Sequence, residues 1–179
     1  MTVEKLTRIF VLFILCGVLN TSAWACSDPP REYFLYPIQL LRESSTVLLV
    51  KAVKKEIIPS PWTPRPTFEK VQFVVVEKLF GSDIKEPIEL KGIISESGSS
   101  HFNNHDAPEF WADPFSGSGG TIGDCYAYGI YEIGKTYLVF LDVGNTKAFE
   151  EINDLEADRW LALVRYLIDE ERTRNKKRN

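Results

Sequence analysis

The stretch FEKVQFVVVEKLF, residues 68–80, decides how this chain reads. The run alternates through Phe68, Val71, Phe73 and Val75, the last three on one side of an extended backbone, and it is β-branched and aromatic until Gly81-Ser82-Asp83 breaks it. A helix would need a spacing of three and four, so this is a strand with one buried face. Upstream, TVLLVKAVKKEII (residues 46–58) is equally β-branched and passes into alternation, with Val50, Ala52 and Ile57 expected on buried faces. Between the two, PSPWTPRP (59–66) holds four prolines. Proline has no N–H for a central ladder, so this is an exposed hairpin loop.

Working outward, DPPREYFLY (28–36) suits an extended lead-in, and Pro37 suits the first turn of a short helix over 38–43 with Ile38 and Leu41 on its core face. Downstream, PIELKGIIS (87–95) reads as a third strand with a bulge at Gly92. Residues 96–124 follow without a period, rich in Gly, Ser, Asn, Asp and Pro, yet Phe102, Phe110, Trp111 and Phe115 argue against plain disorder. A loop of that length inside a compact domain is usually functional. YLVFLDV (137–143) is again strand-like, Gly144-Asn145 signals a hairpin, and 146–152 returns as a short fifth strand.

A helix closes the chain. Asn153 and Glu156 have capping-box spacing, and Ala157, Trp160, Leu161, Val164, Leu167 and Ile168 form one apolar stripe that belongs in the core. Four or five twisted strands with helices outside predict a mainly β fold. The expected architecture is a five-stranded OB-fold β-barrel over 26–152, with a short N-terminal helix, and a long amphipathic helix with a basic tail over 153–179. A sandwich would call for about seven strands.

The first 25 residues predict export. Lys5 and Arg8 precede the 11-residue apolar run IFVLFILCGVL, and Ala23-Trp24-Ala25 matches the small-x-small rule for signal peptidase. The run is too short to span a bilayer as a helix. Cleavage after Ala25 places the protein in a periplasm or the extracellular space and takes the net charge from −4 to about −5. Nucleic acid is a poor partner for such a chain, because a phosphate backbone calls for a basic face. The one basic cluster, residues 172–178, reads as a solvated helix end.

Cys16 leaves with the leader, so Cys26 and Cys125 remain, and an even pair in an exported chain most simply forms a disulfide. Closing a loop of about 100 residues removes up to about 4–5 kcal/mol of unfolded-state entropy. Two free thiols, or a lipid on Cys26 that would anchor the protein to a membrane, are the other readings. The lipid motif is imperfect, with Ala23 and Trp24 where an aliphatic and a small residue are expected.

The order of these features resembles the N-terminal, netrin-like domain of the tissue inhibitors of metalloproteinases. The resemblance rests on alanine before a leading Cys26-Ser27, on VLLVKAVKKE, on the proline-rich loop, on KVQFVVVEKLFGSDIKEPIEL, and on a cysteine shortly before IGKTYLVF. It runs from Cys26 to about Val143. It implies an OB barrel stapled from Cys26 to Cys125, acting on a protein partner. In the inhibitors, the α-amino group and carbonyl of the leading cysteine displace water from a protease's catalytic zinc, and the next residue enters the specificity pocket. By position these are Cys26 and Ser27. Two departures stand out: Asp28 replaces a second cysteine, and a helix replaces the cysteine-rich C-terminal domain.

A different chemistry is written in SSHFNNHDAPEFWADP (99–114). Both histidines of the chain, His101 and His105, lie within 13 residues of Asp106, Glu109 and Asp113. Imidazole and carboxylate are apt ligands for a divalent metal, and with such an ion a hydrolase becomes conceivable. The bland alternative is a solvated loop pinned by Phe110 and Trp111. Asn103-Asn104 and Pro108 argue against a helix here. No other catalytic signature is present, and OB barrels also bind sugars on an open face. The reading is therefore a non-enzymatic, exported interaction module without a resident cofactor, a metalloprotease being one partner it suits.

Overall fold

A computed structural model of the chain describes residues 37–57, 69–95, 103–113, 116–122 and 126–177. The leader, Cys26, Ser27, the loop 59–66, His101 and Cys125 lie outside these residues.

Helix α1 (Pro37–Glu43) opens the fold and buries Leu40 and Leu41. Strand β1 (Thr46–Ile57) pairs antiparallel with β2 (Glu69–Gly81) on one side and with β6 (Thr136–Phe140) on the other. The β1–β2 ladder shifts register at three points, between Val47 and Leu48, Leu49 and Val50, and Ala52 and Lys54. Each irregularity adds bend and right-handed twist, which lets one long ribbon curl. Strand β3 (Ile88–Ile94) continues antiparallel from β2, and β5 (Tyr126–Tyr131) runs parallel to β3. Strand β7 (Phe149–Glu151) borders β6, and short β4 (Gly120–Ile122) is added to β5. The full order is β4-β5-β3-β2-β1-β6-β7. With β5 and β7 brought near each other, the sheet forms a nearly closed, barrel-like surface.

Position in this sheet explains why VLLV is apolar without a break. Val47 and Leu49 face outward and pack under α1 and the C-terminal helix α3 (Arg159–Lys176), with Leu138, Phe140, Trp160, Leu161, Val164 and Ile168. Leu48, Val50 and Ala52 face inward with Val71, Phe73, Tyr131, Tyr137 and Val139. Inside the barrel, Tyr131 meets Phe73 and Tyr137 edge-on at centroid distances of 4.9 and 5.1 Å.

Several expectations need correction. Among the described residues the sheet has seven strands rather than four or five, because β4 and β5 arise where the sequence shows no continuous apolar period. Gly92 is in register with Glu69 and Gly129 and makes no bulge. It is needed for close approach: a Cβ there would lie 2.5 Å from both the Gly129 carbonyl oxygen and the Tyr131 ring. Gly144-Asn145 makes no two-residue hairpin. Asn145 instead caps a 3-10 turn (Thr146–Ala148), its side chain accepting from the Lys147 N–H, before β7. The cap of α3 is Asp158, not Asn153, and Ala157 is exposed ahead of it. Asp154 holds the preceding turn by accepting from the Glu156 and Ala157 N–H groups. Residues 103–107 carry no helix, as Asn103-Asn104 and Pro108 imply, and Pro108 itself opens a short one, α2 (Pro108–Ala112), in whose first turn its missing N–H costs nothing.

Candidate functional site

Within the long loop, residues 103–113 are arranged around His105. Its ring is 3% exposed, in a loop whose polar residues alone would place it in water. Nδ1 lies 2.7 Å from an Asp158 carboxylate oxygen, and Nε2 lies 3.3 Å from Glu150 Oε2. Asp158 stands at the start of α3, where its other oxygen accepts from the Leu161 N–H at 2.9 Å. Glu150, from β7, is fully buried. It accepts from the Ser118 N–H at 2.9 Å, the Ser118 hydroxyl at 2.6 Å and the Asn103 amide at 3.3 Å. One imidazole therefore joins the loop, β7 and α3.

Burial opposes a charge on His105, but the hydrogen bonds to Asp158 and Glu150 outweigh it, holding the pKa at about 9 against the ordinary 6.5. The ring is an imidazolium at neutral pH and answers the two carboxylates beside it. A second cation is nearby. Lys147, 8% exposed, donates to the Phe110 carbonyl at 2.5 Å and sits over that ring, 4.5 Å from its centroid. Burial pushes the Lys147 ammonium below its usual pKa, against the pull of Glu150 and Asp113.

Apolar contacts seat the same segment. Phe110 is buried beside His105, Trp111 and Trp160. Trp111 donates from Nε1 to the His105 carbonyl at 2.9 Å while staying 37% exposed, with Arg159 over its ring. Gly117 and Gly119 let the following backbone press on Thr146; a Cβ on Gly117 would sit 2.2 Å from the Thr146 carbonyl carbon.

Of the candidate metal ligands, His101 lies outside the described residues and the others are placed as follows. His105 is inside, whereas Asp106, Glu109 and Asp113 are exposed, and Asp106 faces Arg159 at 3.9 Å. Among the described residues no group of three His, Cys, Asp or Glu side chains is arranged to hold a metal ion. One ring held between carboxylates of β7 and α3 fastens residues 103–113 to the rest of the fold. The sequence reading missed Glu150, Asp158, Lys147 and Ser118. Glu150 and Asp158 lie 45 and 53 residues from His105, and no local pattern marks either as its partner.

In comparisons with known proteins, no family model and no curated protein matches this chain. No described helix is long and apolar enough to cross a membrane.

Proposed function

We propose that the chain is an exported, non-enzymatic interaction module of the netrin-like, metalloproteinase-inhibitor type, built on an OB-type barrel. It meets a protein partner through the edge at Cys26-Ser27 and the loop 96–124. The observation that carries this is the joint placement of Ala23-Trp24-Ala25 before Cys26-Ser27 and of Cys125 ahead of the Tyr137 strand, in a chain whose sheet curls into a barrel. A long, bulged β1 shared between β2 and β6, a parallel pair at β3 and β5, and a helix packed outside are consistent with an OB-type origin. Clamping by His105 supports the contact role, since a loop fixed before binding loses less entropy on meeting its partner.

The test uses two forms of the protein, one beginning at Cys26 and one retaining Ala25, against zinc metalloproteases at micromolar concentration. Inhibition by the first and not the second is expected, because acylating the Cys26 amine with one more residue removes the chelating group. If neither inhibits, the inhibitor reading fails. If the natively exported chain begins elsewhere or carries acyl groups on Cys26, the N-terminal edge plays no such part.

A further inference from the structure

We infer that residues 103–113 form a strap buckled to the barrel by the charge of His105, so that the strap opens as a unit when that charge is lost. Its attachment is concentrated in few places. Among the described residues, Asn103 and His105 bond to Glu150 of β7, to Ser118 and to Asp158 at the start of α3, the Phe110 carbonyl accepts from Lys147, and Phe110 and Trp111 pack against Trp160. Residues 103–113 contribute no strand, so no ladder backs up the buckle.

Among the described residues, Glu150 from β7 and Asp158 at the start of α3 contact His105, while Lys147 from the 3-10 turn acts on Glu150 and Asp113, and Arg159 of α3 faces Asp106 of the strap. With the ring charged, one cation lies between two buried carboxyl groups. Neutralising it leaves two buried carboxylates sharing one neutral ring, and burial of unpaired charge drives opening. The sign follows from the raised pKa. An open strap returns His105 to about 6.5, so the closed state binds the extra proton and is favoured at lower pH. That preference declines above about 6.5 and is gone once pH passes about 9, the opening equilibrium growing by up to about tenfold per pH unit between. Lys147 works in the opposite sense, since burial lowers its pKa.

The experiment follows the His105 ring and the backbone amides by NMR from pH 6 to 10, on purified protein dialysed against EDTA. His101 is assigned through its own substitution, and amide exchange is corrected for its intrinsic pH dependence. Exchange of residues 103–113 should rise with the loss of the His105 proton, with the β1–β2 amides still protected. In Asp158→Asn, which keeps an acceptor for the Leu161 N–H but removes a charge, both midpoints should move down together. His105→Gln should exchange fast in the strap at every pH. Corrected strap exchange that ignores pH, or that keeps its midpoint in Asp158→Asn while the ring's moves, overturns the inference. Should His105→Gln fail to fold, the Asp158→Asn comparison decides alone.

Discussion

At the scale of single residues, two tyrosines inside the barrel have opposite dependence on their hydroxyls. The Tyr137 hydroxyl accepts from the Glu132 N–H at 2.6 Å, whereas the buried Tyr131 hydroxyl has no hydrogen-bond partner among the described residues. Both phenols are pushed above their ordinary pKa, chiefly by burial. Tyr137→Phe strands a backbone donor and should cost about 1–2 kcal/mol, while Tyr131→Phe should be neutral or stabilising by up to about 1 kcal/mol. Urea unfolding midpoints of the two variants check this; equal losses would mean that the Tyr131 hydroxyl has a partner. Glu150 is the third residue to test. Glu150→Ala removes the acceptor of Ser118 and Asn103 and leaves His105 with one carboxylate, so a loss of about 3 kcal/mol is expected in the same measurement. None of these roles was legible locally: Glu150 sits in FEEIND like any surface glutamate, and its burial follows from what β7 packs against.

At the scale of elements, the helix α3 was legible and its beginning was not. Trp160, Leu161, Val164 and Ile168 recur at helical spacing because one face of α3 covers the outer side of β1 and β6, and these four are buried as their period implies. Asn153 and Glu156 have the right spacing for a cap, yet the chain spends residues 155–157 on a separate turn and starts the helix at Arg159. Spacing alone cannot tell a cap from a turn that precedes one. Asp158 serves both the helix and His105, so Asp158→Ala should cost more than a cap, about 2–4 kcal/mol, and Asp158→Asn distinctly less. Thermal unfolding at pH 7 separates them; equal losses would show that the cap contributes nothing. Helix α2 and strand β5 escaped for related reasons. One is only five residues long, and the other, YAYGIY, carries a glycine where Tyr131 lies over the strand.

At the scale of the whole molecule, the barrel-like sheet brings residues 103–113 and 116–118 against β7 and α3, and the proposed export bears on whether Cys26 and Cys125 pair. Intact mass of natively exported protein should correspond to residues 26–179 and take up two alkyl groups only after reduction. Uptake without reduction would leave Cys26 and Cys125 as free thiols.

What the sequence determined by itself is whatever repeats along the backbone: the strands read over 46–58, 68–80, 87–95 and 137–143, the first and last helices, and a mainly β barrel-like class. These depend on alternation and helical period, which each segment carries within itself. Only the tertiary structure decided that His105 faces inward, that two acids from distant elements receive it, and that glycines at 92, 117 and 129 make room for close approach. Those facts concern which surfaces meet and how a buried charge is answered. Because the cost of burying an ion is set by partners dozens of residues away, no window on the sequence contains it.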